Sequence, residues 1–291
     1  MSKTWKVIDL LKTVSSFLAE KGIENPRLNA ELLLGKVLGL NRVNLYVQFE
    51  RPLNQQELDD YRELIRRRAL HEPLQYLLEQ TEFMGLPFRV RPGVLIPRPE
   101  TEILIEETLK LKNALQTSNP VIVDVGTGSG CIAISLAKLW PESRVVATDI
   151  SEKALELSRE NAELNHVTDN VRFVQHDLFT PWDANLPQTV DILISNPPYI
   201  AKHEMAQLSE EVRDYEPEIA LSDGDDGLRF YNRLFEMVRE HLIDVHYLML
   251  ELSGSQPEKI IERSQFYGLN QREIIPDLNR IQRVLKIKVH E

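Results

Sequence analysis

The sequence predicts an α/β protein: a doubly wound parallel sheet preceded by a small N-terminal helical bundle. Three observations predict it. Residues 1–80 show apolar positions at helical spacing only. From residue 120 onward, short apolar runs of strand length alternate with helical stretches, and repeated βα units imply a parallel sheet covered on both faces. The charge shifts between the same two regions: residues 1–80 carry 12 Lys/Arg and 11 Asp/Glu, whereas residues 81–291 carry 22 and 34. The expected division is a helical domain over 1–80, a hairpin and linker over 81–102 and a sheet domain over 103–291.

At 291 residues the chain is long enough for two domains. Its net charge of −11 excludes a protein that simply coats nucleic acid, which would be basic. The longest stretch free of charged side chains is Val125 to Ala137, 13 residues, too short for a membrane helix. The start, MSKTWKVIDLLK, lacks the apolar core of a signal peptide. A single cysteine, Cys131, excludes an internal disulfide and a Cys-rich zinc site. No metal is expected, and a reducing, cytoplasmic compartment is.

In the first region, Trp5 to Lys21 places Val7, Ile8, Leu11, Val14, Phe17 and Leu18 on a helical period, and Gly22 is the expected stop. Asn25-Pro26 reads as an N-cap with proline at the first helical position, opening a helix that runs to Gly39. A third helix is expected from Gln55 to Ala69, with Arg66, Arg67 and Arg68 in its last turn. There cations complement the helix dipole; contact with phosphate is the other reading of the triplet.

Residues 72–102 join the two regions. Phe83 to Val90 reads as a hairpin turning at Gly85 to Pro87. Pro92, Pro97 and Pro99 then stiffen a loop in which Arg98, Glu100 and Glu102 alternate. It is either a rigid linker or a loop folded over a ligand. Thr101 is a candidate cap for the following helix.

In the second region, strands are expected over 120–125, 144–149, 171–174, 190–195, 247–252, 272–275 and 283–289. Helices are expected over 131–140, from a Ser151 cap to Asn165, over 228–242 and over 257–266. Ligands of such sheets bind at the carboxyl ends of the strands. Gly126-Thr127-Gly128-Ser129-Gly130, Asp149, Asp177 and Asn196-Pro197-Pro198-Tyr199 all fall at such ends.

The glycine loop follows a strand and opens a helix, so it lets backbone N–H groups approach a ligand closely. Asp149, at the end of the next strand, sits where a carboxylate accepts from ribose hydroxyls. Dinucleotide sites look similar, but the spacing here is G-x-G-x-G. Asp124, just before the loop, would repel a pyrophosphate and tolerate a cationic sulfonium. That favours S-adenosylmethionine. Asp177 is a candidate acceptor for the adenine amino group, or else a turn residue.

Asn196-Pro197-Pro198-Tyr199 answers a specific chemical problem. The lone pair of a planar –NH₂ is delocalised, so the nitrogen is a poor nucleophile. Two acceptors aimed at its N–H bonds fix its orientation and strengthen as positive charge develops. The side-chain carbonyl of Asn196 and the backbone carbonyl of Pro197 supply them, and the Tyr199 ring can stack on the planar group. Proline has no N–H and holds the turn rigid. Alignment of methyl donor and nitrogen is then the main catalytic factor. Asn196, Pro197 and Tyr199 are the expected catalytic residues, and a rigid turn is the structural alternative.

The chain resembles the HemK/PrmC family of N5-glutamine methyltransferases that modify peptide chain release factors. The likeness rests on Pro73 to Leu78, Pro92 to Glu102, Asp124 to Ala137, Ser195 to Ile200, Tyr215-Glu216-Pro217, Ala220-Leu221 and Asp226-Gly227-Leu228. The resemblance implies a seven-stranded class I S-adenosylmethionine-dependent methyltransferase sheet. It implies that Gly126, Thr127, Gly128, Ser129, Gly130, Asp149, Asp177, Leu178 and Asn196 hold the cofactor, and that Asn196, Pro197, Pro198 and Tyr199 hold a glutamine. That glutamine would be the one in the Gly-Gly-Gln loop of class 1 release factors, with the helical domain gripping the factor. The sequence departs from the family pattern at Glu79 and Ser253, where glycine is usual, and at Leu178, where a larger aromatic is common.

Three rivals differ in substrate or class. An adenine-N6 DNA methyltransferase shares the Asn-Pro-Pro-Tyr chemistry but needs a basic surface, against a net −12 over residues 81–291. A glutamine methyltransferase of a ribosomal protein differs only in its partner. A catalytically dead binding module would not need Asn196 and the glycine loop. Lys202 to Asp226 holds nine acidic and two basic residues. It is either a solvated loop or an acidic rim that steers a basic release factor toward the site. Direct partners among nucleic acids or membranes are not expected.

Overall fold

A computed structural model describes residues 4–115 and 117–290. The chain forms two compact units, Met1–Gln80 with Ser209–Tyr215, and Thr81–Leu208 with Glu216–Glu291.

The first unit contains helices α1 (Val7–Glu20), α2 (Pro26–Leu38), α3 (Arg42–Val47), α4 (Gln55–Arg68) and α5 (Leu74–Leu78). Val7, Leu11, Leu18, Leu33, Leu34 and Tyr61 form its core. Asn25 precedes α2 in a left-handed conformation and makes no side-chain cap, so only its position matches the expected cap. The proline after it still starts the helix, because its missing N–H would have had no partner there. The short helices α3 and α5 carry too few residues to show a period. α3 is held by the buried Glu31, which accepts from Arg27, Arg42 and the Tyr46 hydroxyl. The arginine triplet is not free for phosphate. Arg66 pairs with Glu63 and Arg67 with Glu72. Arg68 is buried, donates to Asn29 and the Glu72 carbonyl, and pairs with Glu211 on the helix Glu210–Tyr215, α9 in chain order. Glu79 occupies a left-handed conformation (φ +63°) just past α5, which explains why glycine is favoured there.

The second unit opens with β1 (Gln80–Phe83) and β2 (Leu86–Arg89). Their turn is Met84-Gly85, both at positive φ, one residue earlier than expected. That pair of conformations fits the twist of a two-residue hairpin, and Leu86 and Pro87 are already in the strand. Next come α6 (Thr101–Leu109), β3 (Val121–Val125), α7 (Cys131–Leu139), β4 (Arg144–Asp149), α8 (Glu152–Leu164), β5 (Val171–Gln175) and β6 (Thr189–Ser195). The chain closes with α10 (Glu218–Leu221), α11 (Arg229–Arg239), β7 (Asp244–Glu251), α12 (Pro257–Phe266), β8 (Arg272–Pro276) and β9 (Gln282–Lys288).

Among the described residues β3 to β9 form one seven-stranded sheet in the order β5-β4-β3-β6-β7-β9-β8. The five strands β3 to β7 are parallel, whereas β9 runs antiparallel to both β7 and β8. The parallel sheet expected from the repeated βα units is these five strands, and the last two strands close antiparallel at one edge. Only residues 277–281 join β8 to β9, too few for a crossover, so the pair closes as a hairpin. Alternate residues of the central strands enter different cores. Val123, Leu193 and Leu248 pack with Tyr231, Leu234 and Phe235 of α11. Ile122, Ile192 and Met249 pack with Leu104, Ile132 and Leu136 of α6 and α7. Helices on both faces make central strands apolar throughout, which is why they read as unbroken runs.

The strand order reverses between β3 and β6. The chain leaves β3 toward β4 and β5 on one side, and leaves β6 toward β7 on the other. The crevice above such a switch point is where open α/β sheets bind ligands. The glycine loop follows β3 and Asn196 follows β6, so both segments meet there.

Candidate active site

At this switch point lies a cavity of about 330 Å³, within the range of small-molecule sites. Its walls include Gly126 to Ser129, Asp149, Asp177 and Leu178, Asn196 to Pro198, the loop Gly93 to Arg98, and parts of Pro217 to Asp223. All belong to the second unit.

The glycine loop is fixed by its neighbours. The N–H groups of Gly126 and Thr127 both donate to the Thr148 carbonyl (2.9 Å each). Asn161 Nδ2 donates to the Ser129 carbonyl (2.9 Å), and the Ser158 hydroxyl to that of Gly128 (2.8 Å). Gly130 has φ +82°, and a Cβ there would lie 2.7 Å from the Ile134 side chain. Only glycine meets both conditions, so the turn into α7 depends on it.

Asp149 carries both sequence-predicted and unpredicted duties. One carboxylate oxygen accepts from Gly128 N–H and the other from Ser151 N–H (2.9 Å each). Burial raises its pKa above the usual carboxylate value, against the pull of these backbone donors. A carboxylate offers about four lone-pair positions, so two remain for a ligand. Asp177 Oδ1 accepts from Phe179 N–H (2.9 Å), which forms a turn and keeps Asp177 and Leu178 on the cavity wall.

Asp124 is placed differently from the expectation. It is fully buried, does not line the cavity and accepts from the Thr127 hydroxyl (2.6 Å), with Oδ1 unpartnered among the described residues. Burial pushes its pKa up to about 7. It braces the loop from behind instead of facing a ligand, so the repulsion argument does not carry the choice of cofactor.

Asn196, Pro197 and Pro198 line the cavity. Asn196 Nδ2 donates to the Thr101 hydroxyl oxygen (3.1 Å), which leaves the amide oxygen for a ligand. Thr101 is therefore not the cap of α6; it is the first helical residue, and its side chain serves Asn196. Tyr199 is not brought to the cavity wall. Its ring packs on the core, and burial raises its pKa above that of an ordinary phenol.

Two further residues position the walls. Glu216 is buried and accepts from Ile96 N–H (3.1 Å) and from Arg98, tying two cavity-lining loops together. Asp223 accepts from the N–H groups of Asp225, Gly227 and Arg229. These two acids, from the run 202–226, are committed to the fold. Nothing in spacing could pair Glu216 with Ile96, 120 residues away. Among the described residues no cluster of three or more His, Cys, Asp or Glu is arranged to hold a metal ion.

The PrmC N-terminal domain family model matches residues 9–78, and the methyltransferase small domain model matches residues 100–213. A curated relative from Geobacter sulfurreducens, named release factor glutamine methyltransferase, is 42% identical over 97% of this chain and 96% of its own length. Its namesake from Bacillus subtilis is 37% identical over 98% of both. This chain belongs to the release factor glutamine methyltransferase family. Membership makes it an S-adenosylmethionine-dependent methyltransferase, the activity the glycine loop and Asn-Pro-Pro-Tyr turn suggested. The catalytic domain of hMettl16, solved with an RNA hairpin, superposes with a TM-score of 0.58 at 18% identity, covering 79% of this chain and 83% of that one. The N-terminal domain of human METTL16, solved with SAH, gives 0.54 at 17% identity over 96% and 95%. At that identity the likeness establishes the class I methyltransferase fold alone.

Proposed function

We propose that this chain transfers a methyl group from S-adenosylmethionine to the side-chain amide nitrogen of the glutamine in the Gly-Gly-Gln loop of class 1 release factors. The observation that carries the reading is the anchored Asn196 amide. Its nitrogen is held by Thr101, so its oxygen is the atom offered to an incoming –NH₂.

The residues of the cavity fit the cofactor. The glycine loop brings backbone close to one end, two lone pairs of Asp149 remain for ribose hydroxyls, and Leu178 gives an apolar wall for adenine beside Asp177. Bound S-adenosylmethionine supplies an electrophilic methyl group. The chain's own residues do the rest. Asn196 Oδ1 and the Pro197 carbonyl accept the two N–H bonds of the glutamine amide and orient its nitrogen. Both acceptors strengthen as the nitrogen becomes cationic during transfer, when the N–C bond forms and the S–C bond pair leaves with sulfur as a neutral thioether. The nitrogen then gives up one proton to water, which restores the neutral amide without a strong general base. Tyr199, packed on the core behind the two prolines, stiffens the turn; stacking on the substrate is not part of this reading.

The partner is a protein. The acidic balance of residues 81–291 disfavours DNA as substrate, and no helix among the described residues is long and apolar enough to cross a membrane. A translation factor as substrate puts the enzyme in the cytoplasm. The test is labelled methyl transfer to purified release factors, wild type and with the loop glutamine replaced. Label on the wild type that vanishes on replacement supports the reading. Label on a ribosomal protein or duplex DNA, with none on release factor, overturns it.

A further inference from the structure

The hairpin that closes the sheet turns at the same end as the candidate active site. Ser195 of β6 is in register with Leu250 of β7, and Leu250 with Leu285 of β9. β9 runs antiparallel to β7, so it starts where β6 and β7 finish. Two strand spacings, about 10 Å, separate the chain leaving β6 from the chain entering β9. The hairpin tip, residues 276–281, therefore stands on the side of the sheet from which the Asn196 to Tyr199 turn projects.

Packed backbone connects the two. A Cβ on Gly227 would lie 2.4 Å from the Tyr199 carbonyl oxygen and 2.5 Å from Gln256 Nε2. A Cβ on Gly254 would lie 3.5 Å from the Ile281 side chain. The loop after β7 thus bridges turn and tip. Residues 252–256, Leu-Ser-Gly-Ser-Gln, carry no charge, and Gly254 and Ser255 are exposed. At the tip Pro276, Leu278 and Ile281 are exposed, Leu278 completely. Asp277 holds them in place. Its Oδ1 accepts from the N–H groups of Asn279 (2.8 Å) and Ile281 (2.9 Å), and its Oδ2 from Arg283 Nε (3.0 Å). A leucine held in water on a braced turn adds nothing to the fold, because it buries no apolar surface. The same leucine costs little to order when a partner covers it.

We propose that this tip, with Leu278 at its centre, is a docking surface for an apolar patch on the release factor domain that carries the target glutamine. The inference rests on the methyl-transfer reading above and adds a place where the factor is gripped outside the cavity. A folded protein that delivers a side chain to Asn196 must lie over this end of the sheet. The strip leading there is small and uncharged, and Arg283 is taken by Asp277. A phosphate backbone would need several cations, and residues 276–281 carry one, Arg280.

The test uses Leu278→Ser, Leu278→Asn and Leu278→Met in the full chain, all of which leave net charge unchanged. The expected result is a KM for release factor at least about fivefold higher for the Ser and Asn variants. Their kcat and cofactor affinity should stay within about twofold of wild type, and Leu278→Met should keep a near-normal KM. Unfolding temperature should not move, since the side chain is exposed; a structural role would lower it together with kcat. A second measurement identifies the occupant. With p-benzoylphenylalanine at position 278, irradiation should cross-link the enzyme to release factor within the domain that carries the glutamine. A wild-type KM in both polar variants, or cross-links confined to another domain, overturns the docking surface while methylation by the wild type keeps the substrate reading. A wild-type enzyme that leaves release factor unlabelled overturns the substrate reading, and the tip loses its occupant with it.

Discussion

The backbone carbonyl of Tyr199 lies 2.4 Å from the point a Cβ on Gly227 would occupy, and Gly227 has φ +83°. The last residue of the Asn-Pro-Pro-Tyr turn therefore rests against bare backbone from the loop before α11. Asp223 holds that loop through Gly227 N–H (3.0 Å), and Gln256 Nε2 donates to the Asp226 carbonyl (2.9 Å). A side chain at 227 must push either the turn or the loop. Gly227→Ala should destabilise the protein by about 2 kcal/mol, from the strained φ and the overlap together. It should also lower methyl-transfer rate more than cofactor affinity. Thermal unfolding and single-turnover rates check both.

Asn196→Ala should reduce methyl transfer by about 10²-fold or more, the scale of losing one preorganised acceptor at a developing charge. It removes one hydrogen bond to Thr101, so the stability cost should be only about 1 kcal/mol. Cofactor binding by calorimetry should weaken far less than turnover, because the glycine loop and Asp149 remain in place. A near-normal turnover in this variant would remove Asn196 from the mechanism.

Much of this site was legible because its parts sit where unbroken apolar runs end. The runs at 120–125, 144–149 and 190–195 name their strands to within one residue, and the residues just beyond them meet at the switch point by topology alone. The unread parts are those that depend on distant partners. Glu216 carries no local pattern; it acquires meaning only when Arg98 and Ile96 arrive from another segment. The six-residue α3 and five-residue α5 are too short for a helical period, and the hairpin turn was misplaced because Met84, a non-glycine, takes φ +52°. Thr101 looked like a cap because caps are the commonest use of threonine before an apolar helix.

The arginine triplet separates into residues of unequal weight. Arg68 is buried against Asn29 and a backbone carbonyl and pairs with the part-exposed Glu211, while Arg66 and Glu63 are both more than half exposed. Removing Arg68 leaves the buried Asn29 amide oxygen and the Glu72 carbonyl short of a donor, which costs about 1–3 kcal/mol. An exposed pair is worth under about 1 kcal/mol. Arg68→Ala should therefore lower the unfolding temperature sharply and Arg66→Ala barely. Denaturant titration of the two variants side by side decides it.

The buried carboxyl of Asp124 fixes a pH dependence. Its pKa in the folded chain is raised from 3.8 to about 7 by burial. Between those values the folded state holds a proton that the unfolded chain has released. Stability from this group is thus full below about pH 4 and declines as pH rises toward 7. Asp124→Asn should flatten that part of the stability profile. The comparison is unfolding temperature from pH 4 to pH 8 for both proteins; parallel curves would show that Asp124 does not titrate in this window.

The acidic run divides once the structure is known. Glu216 and Asp223 are buried and bonded inward, so they cannot steer a partner. Glu218 and Asp225 remain exposed. A Gly-Gly-Gln domain that works against ribosomal RNA should itself be basic, and exposed acids near the cavity then raise the encounter rate without adding contacts. Long-range attraction of this kind is screened over about 8 Å at physiological salt. Raising salt should therefore slow association with release factor while leaving dissociation nearly constant. Glu218→Gln with Asp225→Asn should reduce the low-salt association rate a few-fold and shrink its salt dependence, with kcat unaffected. Stopped-flow association at several salt concentrations measures this directly. A rate that is independent of salt would leave Glu218 and Asp225 as solvated surface and confine the acidic run to its structural duties at Glu216 and Asp223.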